Sequence, residues 1–158
     1  MRHRPGVFAA AALVLAVSGA ARASNYALEE IPQAIPAPEA AKLKTAGVPT
    51  TFALLEKAGD AKARKTLARE TKIPEKTLEA WAMMADLLRV KGIGPDVARL
   101  LTAAGVKTVA QLKTADATKL NDEIGKANSK QHLSENPPSL EHLQAWIAQA
   151  GSLPIVLK

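Results

Sequence analysis

The chain has 158 residues, a net charge of +6 and only 3% aromatic residues. That length allows one domain or two small units that share a core. No cysteine is present, which excludes disulfides, thiolate catalysis and cysteine-ligated metals. Alanine and leucine outnumber the β-branched and aromatic residues that strands favour, so the composition predicts an all-α fold.

Residues 1–23 have the three parts of a signal peptide. A basic start precedes an apolar run at 7–17, and Ala21-Arg22-Ala23 supplies the small side chains that a signal peptidase accepts. We therefore predict cleavage between Ala23 and Ser24 and export to the periplasm or the medium, with no stable membrane span afterwards. The alternative is an uncleaved anchor, which the short apolar run disfavours.

The charge after residue 23 is modest. Eighteen basic and fifteen acidic residues remain, a net charge of +3, which is ordinary for a protein surface. Residues 25–86 carry nine basic and nine acidic residues, whereas 87–158 carry nine and six. All of the remaining net charge therefore lies in the C-terminal half.

The chain after the signal peptide is a tandem repeat. Residues 34–56 align without gaps to 92–114 at an offset of 58, and Trp81 and Trp146 lie in a second matching stretch at an offset of 65. The second copy therefore has seven extra residues, which we place within 128–138.

We divide the chain accordingly. The first copy is residues 24–86 and the second copy is residues 87–158. Because the last helix of the first copy leads directly into the second, we expect both copies to form one compact helical domain.

Helix signals occur in the same order in both copies. Proline in a first turn, Ser, Thr or Asp as a cap and glycine after a last turn mark the predicted helix ends. In the first copy the predicted helices run from Pro38 to Gly47, from Thr50 to Leu55, over 61–70 after Asp60, and over 75–89. In the second copy they run from Pro95 to Gly105, from Thr108, over 118–127, and from Ser139. Trp81 and Trp146 lie on apolar faces, where we predict core packing.

Gly92-Ile93-Gly94-Pro95 joins the two copies. Two glycines around an aliphatic residue favour a tight turn anchored by Ile93, and such a turn aims backbone N–H groups at the positive end of the next helix. We consider it a candidate phosphate-binding hairpin, and the alternative is a turn without a ligand. The candidate residues are Gly92, Ile93, Gly94, Arg89, Lys91 and Arg99.

This segment resembles a helix-hairpin-helix motif. The run from Leu78 to Gly94, with Trp81, and the ending Trp146-Ile147-Ala148-Gln149-Ala150 resemble the bacterial family of unknown function numbered forty-three thirty-two. The resemblance covers roughly Tyr26 to Lys158, and the family has no settled activity. The helix-hairpin-helix class implies binding of the DNA backbone without reading of the sequence, an inference from fold alone.

Two departures weaken that implication. The first copy has Ala34-Ile35-Pro36 where the pattern expects glycines, and Pro36 lacks an N–H donor. In the second copy, Asp96 follows Pro95 and would repel a phosphate, although it suits the first turn of a helix.

No catalytic or metal-binding constellation is recognisable. His132 and His142 have no metal-ligand spacing, and the neighbours in Glu29-Glu30 and Asp122-Glu123 point to different sides of a helix. No nucleophile, base and oxyanion donor assemble. We therefore expect neither enzyme activity nor a cofactor nor a metal.

Two functions follow as hypotheses. The preferred one is an exported, non-catalytic module that binds an unknown protein partner, and it predicts a contiguous apolar or mixed surface patch. The alternative is sequence-independent binding of the DNA backbone through the Gly92-Ile93-Gly94 hairpin, which should weaken steeply with salt.

Overall fold

The computed structural model describes residues 24–157, and the predicted all-α fold is confirmed there. The predicted signal peptide, including Ala23 of its cleavage site, lies outside the described residues. One isolated antiparallel bridge joins Ala27 and Thr50. The helical elements are a short 3-10 helix at Leu28–Glu30 and the α-helices α1 (Ala37–Thr45), α2 (Thr51–Ala58), α3 (Ala61–Thr71), α4 (Glu75–Leu87), α5 (Pro95–Ala103), α6 (Val109–Lys113), α7 (Ala117–Gln131) and α8 (Leu140–Ser152).

In both copies the first helix ends in the same turn. Gly47 and Gly105 have φ values of +79° and +94°, as the sequence predicts. The valine after each glycine donates its N–H to the carbonyl oxygen of Leu43 or Leu101, at 2.8 and 2.9 Å. A left-handed glycine followed by this bond is a Schellman motif, which satisfies the last carbonyls of the helix.

The next helix also begins alike in both copies. The hydroxyl of Thr50 accepts from the N–H of Ala53 at 3.3 Å, and that of Thr108 accepts from the N–H of Gln111 at 3.2 Å. Each bond satisfies one backbone donor that the first helical turn leaves without a partner. These threonine caps are therefore confirmed.

The seven extra residues are distributed differently from the prediction. We expected a helix over 118–127 followed by a long polar loop, but α7 reaches Gln131 before His132, at φ +48°, ends it. Compared with the first copy, α7 is four residues longer than α3 and the loop after it is five residues longer, while α6 is three residues shorter than α2 and the loop after α6 is one residue longer than the loop after α2. Asn128 on this extra turn holds the loop that follows, since its side chain donates to the carbonyl of Ser134 at 2.8 Å and accepts from the N–H of Ser134 at 3.0 Å.

Matched apolar positions of the two copies fill one continuous core. α2 packs against α4 as α6 packs against α8, and contacts between α4 and α5 join the copies. Burying one large aliphatic side chain stabilises a fold by roughly 1.5–3 kcal/mol, so these shared positions dominate the packing. Four matched pairs are fully buried: Ile35 and Ile93, Leu43 and Leu101, Leu54 and Leu112, and Leu78 and Leu143.

The segment before the 3-10 helix lies along the start of α2. The N–H of Thr51 donates to the carbonyl of Tyr26 at 3.0 Å, and the N–H of Phe52 donates to Asn25 Oδ1 at 3.2 Å. The segment therefore supplies acceptors to the first turn of α2. Within residues 24–157 no helix is long and apolar enough to cross a membrane.

Candidate functional site

The Gly92–Gly94 hairpin connects α4 to α5. Ile93 is fully buried and donates its N–H to the carbonyl of Val90 at 3.1 Å, so it anchors the turn as predicted. Gly92 has a φ of +94°, which favours glycine, but Gly94 has φ −92° and ψ 176°, which any residue adopts. The turn geometry therefore requires glycine at position 92 and not at position 94.

Helix α8 covers one side of this hairpin. A Cβ atom on Gly92 would lie 3.0 Å from Nε1 of Trp146, whose side chain is only 7% exposed. The side chain of Gln149, one turn further along α8, accepts a hydrogen bond from the N–H of Lys91. The close approach of Trp146 is thus a second reason for glycine at position 92, and the N–H groups of Lys91 and Ile93 already have partners inside the chain.

Arg89 is buried beneath the hairpin, not turned to its outer surface as the sequence analysis expected. Its side chain is 9% exposed, and its Nη1 lies 2.6 Å from Asp86 Oδ1. Its Nη2 donates to the carbonyl of Pro154 at 2.9 Å, and Asp86 Oδ2 accepts from the N–H of Val109 at 2.7 Å. The guanidinium therefore joins α4 to the C-terminal tail, and the same ion pair caps α6.

Two of the predicted basic residues stay at the surface, Lys91 next to Gly92 and Arg99 on α5. Lys91 and Arg99 are exposed, and Nη1 of Arg99 lies 4.0 Å from Asp96 Oδ1. An exposed ion pair of this length contributes at most a few tenths of a kcal/mol to the free energy of unfolding, about the lower limit for surface pairs. Asp96 nevertheless places a negative charge at the same end of α5 that a phosphate would approach.

The first hairpin, Ala34-Ile35-Pro36, has fewer backbone N–H groups that could bind a ligand. The N–H groups of Ala34 and Ile35 both donate to the carbonyl of Ile31, at 2.9 and 3.0 Å. Pro36 has no N–H and precedes the first residue of α1. Its backbone donors therefore serve the turn itself.

An open groove of about 560 Å³ lies between α2 and the C-terminal tail. Its apolar lining comes from Phe52, Leu55 and Val156, and its charged lining includes Glu56 and Asp60. Phe52 is 39% exposed, Val156 is 38% exposed and the adjoining Ile155 is 60% exposed. This groove is an exposed mixed patch of the kind that the protein-binding hypothesis predicts.

These groove residues were not predicted from the sequence, although the chain carries a signal for them. Phe52 lies two residues after Thr50, the cap of α2, and outside the buried face of this helix. An apolar side chain at such a position indicates an exposed apolar surface. Ile155-Val156-Leu157 is an apolar run after the last helix. Only the packed structure places the two segments together.

The two histidines within the described part of the chain lie at helix ends. His142 stacks on Trp146 with 5.8 Å between ring centroids, and its Nδ1 lies 3.0 Å from the Oγ of Ser139, the cap of α8. His132 is the left-handed residue that ends α7. Among residues 24–157, no group of three or more His, Asp or Glu side chains is arranged to hold a metal ion.

Comparison with known proteins identifies the family. No solved structure matches the chain. The family model described as Domain of unknown function (DUF4332) matches residues 33–153, which include both hairpins and all eight α-helices. This is the family that the sequence analysis identified from its motifs, and the match covers more than half of the chain. The chain therefore belongs to the DUF4332 family.

Proposed function

We propose that this protein is an exported, non-catalytic binding module that holds a partner protein in the groove between Phe52 and Val156. The observation that carries the proposal is the groove of about 560 Å³ with exposed apolar side chains on two of its walls. A partner that covers these side chains removes apolar surface from water, which favours association.

The charges around the groove suggest what the partner presents. Glu56 is exposed at the rim, whereas the charge of Arg89 on the inner wall is matched by Asp86. The groove therefore favours an apolar side chain that lies next to a basic residue. The predicted signal peptide at 1–23 places this partner in an exported compartment.

Photocrosslinking in cells that express the full chain tests the proposal. Phe52 is replaced by a photoreactive phenylalanine analogue, and Leu140, which is 38% exposed on α8, is replaced in a matched control. We expect a discrete protein adduct from position 52 and none from position 140. Equal adducts from both positions would contradict a specific groove.

Charge reversal distinguishes a basic partner from non-specific apolar capture. Glu56→Lys should abolish the adduct at position 52 because it repels the basic residue of the partner. Glu135→Lys, at an exposed position in the loop after α7, should leave the adduct unchanged. An adduct that survives Glu56→Lys would refute the proposed charge complementarity.

Sequence-independent DNA binding through the Gly92–Gly94 hairpin is the second candidate function. The exposed Lys91 and Arg99 beside the hairpin favour it, as does the excess of positive charge in the second copy. Titration of labelled duplex DNA at low and moderate salt tests it, since backbone binding weakens as salt rises. Salt-sensitive binding that Lys91→Met reduces would support DNA binding, and no binding at low salt would dismiss it.

A further inference from the structure

A second cleft, of about 350 Å³, lies on the side of Trp81 and shares no lining residue with the Phe52 groove. It is formed where the first hairpin, α4, α5 and the end of α7 meet. The residues that matter for its chemistry are Gln33, Ala34, Trp81, Met84, Arg99 and Gln131.

The two tryptophans are packed differently. In the second copy, Trp146 lies against Gly92, and a Cβ atom on Gly92 would lie 3.0 Å from its Nε1, so the indole would have to shift. The matching position in the first copy is Ala34, which carries such a Cβ atom. Trp81 packs against the core, as predicted, but it is only partly buried, and it lines this cleft beside Ala34.

The walls of the cleft combine an apolar platform with polar groups. Trp81 and Met84 provide the apolar surface. Ligand pockets usually combine such a surface with a few polar groups that fix the orientation of the ligand. Those groups are the exposed amides of Gln33 and Gln131 and the exposed guanidinium of Arg99. A guanidinium binds a carboxylate through two parallel hydrogen bonds.

The charges near Trp81 also favour an anion. On the cleft side, Arg99 has Asp96 at 4.0 Å. On its other side, Trp81 lines a smaller cleft with Lys42 and Lys72, where Glu39 lies 3.9 Å from Lys42. Three cations therefore line the two clefts that share Trp81, and two of them have a carboxylate at the outer limit of ion-pair distance.

We propose that the Trp81 cleft binds an apolar carboxylate, with the apolar group on Trp81 and Met84 and the carboxylate at Arg99. The same chemistry is presented by a small organic acid and by the C-terminal residue of a polypeptide. The site is independent of the Phe52 groove, so failure of one proposal leaves the other standing.

The indole N–H signals of isotope-labelled protein, purified from cells that express the full chain, provide the test. The chain has two tryptophans, and a Trp146→Phe variant assigns their signals. N-acetyl-L-phenylalanine should shift the Trp81 signal and leave the Trp146 signal in place. Its carboxamide, which lacks the charge, should bind about tenfold more weakly. Equal affinity for acid and amide, or no shift at Trp81, would overturn the proposal.

Arginine variants test the role of Arg99. Arg99→Met should weaken binding of the acid about tenfold. Arg69→Met, which removes an exposed arginine on α3 that does not line the cleft, should leave binding unchanged. If both variants lost the same affinity for the acid, the effect would come from net charge alone, and a carboxylate site at Arg99 would be refuted.

A pentapeptide that ends in phenylalanine distinguishes the two sources of the carboxylate. If the peptide binds more tightly than N-acetyl-L-phenylalanine, the cleft is assigned to polypeptide C-termini. The extra affinity would then come from hydrogen bonds between the peptide and the amides of Gln33 and Gln131. Equal or weaker binding assigns it to small organic acids. Failure of both ligands to bind would contradict the proposal in either form.

Discussion

Leu28 and Ile31 lie six and three residues before the first hairpin, and Asp86 and Arg89 lie the same distances before the second. The first pair is apolar, with 1% of each residue exposed, and the second pair is a buried ion pair with an O–N distance of 2.6 Å. The corner of the fold before each hairpin is therefore apolar in one case and charged in the other. Only the charged pair reaches two distant backbone groups, at Val109 and Pro154, so it determines where the C-terminal tail lies.

The two hairpins differ in how closely the matching tryptophan packs against them. Trp146 approaches Gly92 of the second hairpin closely, whereas a cleft lies beside Ala34 and Trp81 at the first. The exchange of glycine for alanine thus accompanies a change in how the tryptophan packs. The two copies differ in their clefts without any change of helix order.

Breaking the buried ion pair should have the largest effect. Arg89→Met leaves the carboxylate of Asp86 buried without its cation, and we expect the free energy of unfolding to fall by about 3–5 kcal/mol. Urea denaturation followed by circular dichroism measures it. The control is Arg99→Met, which removes an arginine from an exposed pair of the same spacing and should cost less than about 1 kcal/mol. Equal losses would show that burial does not determine the importance of the pair.

Converting the corner to the chemistry of the first copy should recover part of this loss. The double variant Asp86→Leu/Arg89→Ile removes both charges and restores apolar volume, so it should be more stable than Arg89→Met by about 1 kcal/mol or more. The Val109 N–H then lacks its acceptor, which prevents full recovery. A double variant less stable than Arg89→Met in urea would disprove the equivalence of the two corners.

The contact between the hairpin and α8 should have an intermediate effect. Gly92 and Gly105 share a φ of +94°, but a Cβ atom at Gly105 has no heavy atom within 4 Å. Gly105→Ala should therefore cost about 1–2 kcal/mol for the left-handed backbone alone. Gly92→Ala should cost about 1 kcal/mol more because Trp146 must shift. Thermal unfolding of both variants measures the difference, and equal costs would mean that Trp146 moves away freely.

The helix caps should show the smallest effects, and these should be alike in the two copies. Thr50→Ala and Thr108→Ala each remove one side-chain acceptor from a first helical turn, and each should cost about 1 kcal/mol. Denaturant midpoints of the two variants provide the comparison, with Thr→Ser at each site as the control that keeps the hydroxyl. A large loss at one site alone would show that the caps are not equivalent.

The features predicted correctly from the sequence depend on residues close together in the chain. The turns at Gly47 and Gly105, the caps at Thr50 and Thr108 and the start of α5 at Pro95 each involve at most six consecutive residues. Their geometry follows from the conformational limits of glycine and proline and from side chains that bond nearby N–H groups. The excess of alanine and leucine over β-branched and aromatic residues likewise predicted the all-α fold.

The features of the candidate sites that were missed depend on residues far apart. Arg89 is a charged residue beside a turn, and its burial follows from the carbonyl of Pro154, 65 residues away. The requirement for Gly92 comes partly from Trp146, and the groove joins Phe52 to Val156. Periodicity and capping rules describe one helix at a time, so they contain no information about which helix covers which turn. Local backbone preferences therefore determined the helices and their ends, while the packing of distant segments decided which charges are buried and which clefts stay open.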